Sequence, residues 1–190
     1  MNNEEFANRK TEAEKLWEAR WGHHKKGKTD FVLSEAVNDL VEAKNDYAYG
    51  QYRSAILMCR TGVEYAVYLA VSRRPMPEFP VGDKRYDIEM IDGQLSSSRW
   101  EYLLGQMIIH GLADRRLINK INYVRGRGNE IAHHGQILDK GLAAFSSRKR
   151  RKIQYGDHRE ALKVLGDAID VVRGLMRRIN SKFIERQSTK

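Results

Sequence analysis

The chain of 190 residues contains a single cysteine, Cys59, and no uninterrupted apolar stretch long enough to span a membrane. One cysteine excludes a disulfide bond within the chain and is typical of proteins in a reducing compartment. Without about eighteen consecutive apolar residues, no membrane span is predicted. The N-terminal residues MNNEEFANRK are polar and acidic. We therefore expect no secretory signal, no membrane partner and a cytoplasmic location.

Negatively charged residues are fewer than positively charged ones: the chain has 25 Asp and Glu residues and 34 Lys and Arg residues. The net charge of +9 favours an anionic partner, most often nucleic acid. One stretch concentrates this charge in five consecutive residues, Arg148, Lys149, Arg150, Arg151 and Lys152. Such a run predicts either a solvated linker or a contact with nucleic-acid phosphates.

Alternating polar and apolar runs bounded by turns are nearly absent, so there is no β-strand signal. Apolar residues recur instead at intervals of three and four, and the only three prolines fall together at residues 75–80. We predict an all-α helical bundle of about five main helices with one Pro-rich irregular connection. We expect an N-terminal helix and basic linker at residues 1–28, one bundle domain at 29–186 and a tail at 187–190. The expected helices cover residues 4–21, 29–49, 51–73, 98–110 and 157–185, with Asp114 as the N-cap of a further helical segment.

The third predicted helix, residues 51–73, is apolar on nearly all sides, which is typical of the central helix of a bundle. Within its apolar part only Arg60 and Glu64 are charged, and their i,i+4 spacing lets them pair on one face. A buried charge needs a partner, because desolvation of an ion is costly. We therefore expect either a structural ion pair or a pair that lines a functional cleft.

The most unusual segment is VRGRGNEIAHHG, residues 124–135. In a helix, Arg125, Asn129 and His133 would share one flank, and Arg127 and His134 the other. Each of its two internal glycines costs a helix roughly 1 kcal/mol relative to alanine. We therefore expect another backbone or a ligand to approach closely at these glycines. The core-facing stripe of this segment would be Ile121, Val124, Gly128, Ala132 and Gly135.

The same segment concentrates side chains that suit phosphate chemistry. Arginine can bind a phosphate through two hydrogen bonds, and histidine exchanges a proton near neutral pH. The alternative is a polar contact between bundle helices in which the histidines are simply hydrogen-bonded.

Three groups of residues link the chain to a known family: residues 49–55 (YGQYRSA), the pair Arg60 and Glu64, and the motif in residues 125–133. In the motif, Arg125 is followed by Gly128-Asn129 and then by Ala132-His133. Here the chain resembles the HEPN superfamily of small α-helical domains, within its DUF-type prokaryotic branch with an R..GN..AH motif. The resemblance covers about residues 46–135.

This resemblance implies a helical bundle that forms a homodimer, with the two copies of the motif facing each other. Catalytic members are metal-independent endoribonucleases of prokaryotic defence, toxin–antitoxin or RNA-processing systems, and they need no cofactor. They use an arginine followed after a short interval by a histidine, a spacing that Arg127 meets with His133 or His134. Arg125 matches the pattern of the branch, so both arginines are candidates.

Two functions follow. In the first, His133 removes a proton from an RNA 2′-hydroxyl, Arg127 or Arg125 stabilises the negative phosphorane, and Asn129 orients the phosphate or the imidazole. In the second, the bundle is a non-catalytic module that binds nucleic acid or a nucleotide, or acts as a dimeric adaptor. In the catalytic site of the first function, we expect supporting roles for His134, Glu130, Arg60 and Glu64.

Overall fold

The structure, a computed structural model, describes residues 2–22, 33–72, 97–139 and 157–187. About 91% of these residues are helical and none of them is in a strand, which confirms the all-α class. The segment after Asp114 forms a full helix, so the described part has six helices where about five were expected. They are α1 (Asn3–Trp21), α2 (Ser34–Ala48), α3 (Tyr52–Ser72), α4 (Ser97–Ile109), α5 (Arg115–Asp139) and α6 (His158–Gln187).

Some predicted features lie outside the described residues. These are most of the basic linker, the Pro-rich connection, the basic run Arg148–Lys152 and residues 188–190.

The ends of the helices follow from local chemistry. Gly50 after α2 and Gly111 after α4 have φ angles of 75° and 61°, in the left-handed region that side chains disfavour. Asp114 caps α5 as expected, because its Oδ1 accepts a hydrogen bond from the backbone N–H of Leu117 at 2.8 Å. That bond, together with one from Arg178, lowers the pKa of the Asp114 carboxyl below its ordinary value.

Helix α3 occupies the centre of the bundle and packs against α2, α4, α5 and α6. Cys59, Val63 and Val67 along it are fully buried. Burial raises the pKa of the Cys59 thiol, which keeps it protonated and unreactive. The stretch Tyr52–Val71 is long and apolar enough to cross a bilayer by length and composition alone, but most of it is buried inside the bundle.

Helices α5 and α6 run antiparallel and are joined by ion pairs. Lys120 Nζ lies 3.0 Å from Asp167 Oδ1, and about two turns further along α5 Arg127 contacts Glu160. As residue numbers rise along α5, those of the partners on α6 fall. Because these ion pairs hold α6 against one side of α5, they determine which side of α5 stays open to solvent.

Helix α1 packs against α2 and α6. Arg9 Nη1 donates a hydrogen bond to the Tyr52 hydroxyl at 3.1 Å, and the Tyr47 hydroxyl donates one to Glu12 at 2.5 Å. These polar contacts connect α1 to the ends of α2 and α3.

Asp39 is a carboxylate in an unfavourable position, where α2 and α3 approach each other closely. A Cβ atom at Gly62 would lie 3.0 Å from the Ala36 carbonyl oxygen and 3.1 Å from Asp39 Cβ. Burial, and then the negative charges of Glu42 and Glu35, raises the pKa of Asp39 from 3.8 to about 6. The charged form of Asp39 therefore destabilises the folded state at neutral pH.

We expect Asp39→Asn to raise the free energy of unfolding at pH 7 by about 1 kcal/mol, a value reduced for solvent screening of a partly exposed group. The folded pKa of about 6 exceeds the ordinary value of 3.8. The wild type therefore gains stability by protonation as the pH falls through 6, and the advantage of the variant should shrink and vanish near pH 4. Denaturant unfolding across this pH range measures it, with the exposed Glu18→Gln as control. A difference in unfolding free energy between the variant and the wild type that does not change with pH would contradict the raised pKa of Asp39.

Candidate active site

Helix α5 carries the motif, and its sides have different surroundings. Ile121 and Val124 are fully buried and Gly128 is buried, as the core stripe predicts. Ala132 is exposed, so the expectation that the stripe continues to Ala132 is wrong. The physical reason is that a step of three residues from Gly128 places Ile131 on the buried side, where it packs against the core, and Ala132 lies beyond that side. The side chains of residues 134–139, including His134, lie outside the described part, as does the burial of Gly135.

The buried carboxylate of Glu64 joins two arginines. Its Oε1 accepts hydrogen bonds from Arg60 Nε at 3.1 Å and from Arg125 Nε at 2.9 Å. Arg60 and Glu64 are each only 8% exposed. The predicted pairing of Arg60 with Glu64 is confirmed, and the structure adds that this pair also binds the first arginine of the motif. The contact connects α3 to α5.

Trp100 of α4 completes the surroundings of Arg125. The Arg125 guanidinium carbon lies 4.7 Å from the centroid of the Trp100 ring, within cation–π distance. The Trp100 ring nitrogen donates a hydrogen bond to Asn122 Oδ1 of α5 at 3.2 Å. Arg125 is therefore held from two sides, by a carboxylate of α3 and by an aromatic ring of α4.

Arg127 belongs to a different neighbourhood. Its guanidinium contacts Glu130 one turn along α5 and Glu160 near the start of α6. The structure therefore separates the two candidate arginines, because Arg125 turns toward α3 and α4 while Arg127 turns toward α6. Glu130, a predicted supporting residue, lies with Arg127 and not with Arg125.

Between the two arginines α5 presents a partly open polar side. Asn129 and His133 are half-buried on the flank of Arg125, as predicted, and Gly126 lies beside them. A guanidinium, an amide and an imidazole on one side of a helix can bind an anion and transfer a proton. In residues 2–22, 33–72, 97–139 and 157–187, no group of three His, Cys, Asp or Glu side chains could hold a metal ion.

The two glycines of the motif have different structural causes. A Cβ atom at Gly128 would lie 2.5, 2.6 and 2.9 Å from the Cδ, Cβ and Cγ atoms of Arg60, so only glycine fits against the Arg60 stem. At Gly126 a Cβ atom would have no neighbour within 4 Å. The close approach expected at both glycines is thus found at Gly128, where Arg60 of the same chain makes it. The packing of the described residues does not require Gly126.

Sequence reasoning did not find three features of this site: the contact of Glu64 with Arg125, the Trp100 ring and the role of Glu160. Each of these contacts joins residues on different helices, and the spacing within one helix carries no signal of them.

The glycines provide a matched pair of tests. Gly126→Ala should raise the free energy of unfolding of the single chain by up to about 1 kcal/mol, because alanine favours the helix and meets no neighbour within its own chain. Gly128→Ala should lower it by roughly 1–3 kcal/mol, because Arg60 must move and its bond to Glu64 is disturbed. Thermal unfolding followed by circular dichroism gives both values. Equal effects at the two positions would contradict the packing at Gly128.

No family model, no curated protein and no solved structure matches this chain. The resemblance to the HEPN superfamily therefore depends on residues 49–55, on the pair Arg60 and Glu64 and on the motif in residues 125–133.

Proposed function

We propose that the chain is a HEPN-like, metal-independent endoribonuclease with a composite active site at a homodimer interface, in a prokaryotic defence or toxin–antitoxin setting. The observation that carries this proposal is the position of Arg125, held by Glu64 and Trp100 on the flank that also bears Asn129 and His133. These are the groups that cleavage of an RNA phosphodiester needs.

In the proposed reaction, the imidazole of His133 accepts the proton of an RNA 2′-hydroxyl. The 2′-oxygen then attacks the adjacent phosphorus, and the bond from phosphorus to the 5′-oxygen of the next nucleotide breaks. The leaving 5′-oxygen takes up a proton from water, and the imidazolium of His133 returns its proton to the solvent. The products are a 2′,3′-cyclic phosphate and a free 5′-hydroxyl. Arg125 stabilises the additional negative charge of the phosphorane, and the amide of Asn129 orients the phosphate.

The spacing along α5 favours a site shared between two chains. Arg125 and His133 are eight residues apart, which is about 12 Å along a helix, too far for both to reach one phosphate in a single chain. If two copies of α5 pair antiparallel about an axis at Asn129, Arg125 of one chain lies opposite His133 of the partner subunit. The same pairing sets Gly126 opposite the partner subunit's Ala132, and two small residues permit close contact between helices. Gly126 has open space beside it and Ala132 is exposed, which supports this arrangement.

Geometry favours Arg125 over Arg127 as the arginine that contacts the phosphate. Arg127 is bound by carboxylates of α5 and α6, and we assign it to the contact between those helices. Glu64 and Arg60 act as positioning residues, since Glu64 binds Arg125, Arg60 binds Glu64, and both are buried.

Purified protein should cleave single-stranded RNA in excess EDTA and leave DNA of the same sequence intact, because DNA lacks the 2′-hydroxyl. His133→Ala should lower the rate by about 100-fold or more, the usual contribution of a general base. His158→Ala, at an exposed histidine of α6, is the matched control and should keep its activity. Product gels measure both. Salt-sensitive RNA binding without any product would instead support the alternative, a non-catalytic binding module or adaptor.

The shared site predicts complementation between inactive variants. A mixed dimer of Arg125→Gln and His133→Ala contains one intact pair, Arg125 from one chain and His133 from the other. Mixing the two variants after unfolding and refolding together should therefore restore about a quarter of the activity, since half of the dimers are mixed and have one site of two. Sedimentation at micromolar concentration should give twice 22.0 kDa. A clean monomer, or no restored activity from a folded mixture, would contradict the shared site.

A further inference from the structure

We propose that a basic groove between α5 and α6 binds the phosphate chain of single-stranded RNA and leads it toward the candidate active site. This substrate assignment rests on the proposed ribonuclease function. The groove encloses about 690 Å³ and is open to solvent. Its lining includes four cationic residues, Arg115, Arg116, Lys120 and Lys163, and one carboxylate, Asp167. We call it the α5–α6 groove.

The lysines and the carboxylate form the fixed floor of the groove. Asp167 contacts Lys120 Nζ at 3.0 Å and Lys163 Nζ at 2.9 Å. Burial alone would raise the pKa of Asp167, but hydrogen bonds from Lys163 and Lys120 lower it overall, so the carboxylate is ionised at neutral pH. Lys120 also contacts Asp170, which is shared with Arg20 of α1, so the excess positive charge of the groove comes mainly from Arg115 and Arg116.

Arg115 and Arg116 supply the charge that a ligand would meet first. Both are exposed, and neither forms an ion pair within the described part of the chain. They occupy the first turn of α5, where the helix dipole disfavours cations, and that turn contains no acidic residue. Asp114 before it is bound to Arg178 at 2.5 Å. Two guanidinium groups at the N-terminus of a helix form a strong attraction for phosphate.

The shape and direction of the groove suit a chain rather than a small molecule. It is open to solvent, so a polymer can lie in it and continue beyond it. Tyr123 lies at its end nearest the motif, where Lys163 Nζ is 3.3 Å from the centroid of the Tyr123 ring. From Arg115 to His133, which lie on nearly the same side of α5, the helix axis rises about 27 Å. A strand bound at Arg115 and Arg116 would therefore continue along α5 toward Asn129 and His133.

Binding can be measured separately from cleavage in the His133→Ala protein. The probe is a fluorescein-labelled oligouridylate of about twelve nucleotides, followed by fluorescence anisotropy over a range of salt concentrations. Adding Arg115→Gln and Arg116→Gln should raise Kd roughly tenfold near 0.1 M salt. The slope of log K against log salt should fall by about 1.4, because each phosphate contact on a single strand contributes about 0.7.

The matched control removes two exposed positive charges from α1, by Lys10→Gln and Lys15→Gln. It should change Kd less than about twofold, and Arg115→Lys with Arg116→Lys should keep most of the salt slope. Equal losses in the test and control variants, or an unchanged slope in the test variant, would overturn the groove assignment even if the wild type cleaves RNA. Specific loss of binding in a protein that cleaves nothing would support the groove and refute the ribonuclease.

Discussion

The arrangement of the candidate site depends on one buried carboxylate, that of Glu64. It lies between Arg60 of its own helix and Arg125 of α5, at 3.1 and 2.9 Å. A carboxylate that is 8% exposed is costly without partners, and the guanidinium groups are equally costly without it. The three charges therefore stabilise one another only when α3 and α5 keep their present register. That register also brings Gly128 against the stem of Arg60, where a Cβ atom would meet carbon atoms at 2.5–2.9 Å.

Much of the fold could be predicted from the sequence, because it follows from spacing within single helices. Gly50 and Gly111 end helices, Asp114 begins one, and Arg60 pairs with Glu64, all from local rules. The division of the motif into two flanks also follows from helical periodicity. Contacts between helices could not be predicted in this way. The partners of Arg125 and Arg127 come from α3, α4 and α6, and the sequence pattern does not say which helices become neighbours.

The error on α5 concerns one residue of the core stripe. Ala132 was expected in the core, but it is exposed, and Ile131 packs against the core in its place. Spacings of three and four carry the buried side from Ile121 through Val124 and Gly128 to Ile131, and periodicity alone does not say which of the two spacings applies at each step. Of the two glycines expected at a close approach, Gly128 is explained by Arg60 within the chain. Within the motif, the glycine that the packing of the described residues leaves unexplained is Gly126.

Some residues of α5 conflict with the local preferences of a helix, and the packing of the described residues does not explain them. Gly126 weakens the helix without relieving any contact, and Arg115 and Arg116 oppose the dipole of its first turn without pairing in the described residues. Local preferences agree with the fold elsewhere in a natural protein and are broken at functional sites. Spacings of eleven and seven residues set Arg115, Gly126 and His133 on nearly the same side of the helix. One face of α5 thus combines a cation near its start, an open glycine in its middle and an imidazole further along. In the proposed function these would be a phosphate-binding group, the contact with a partner helix and the general base, in that order along the helix.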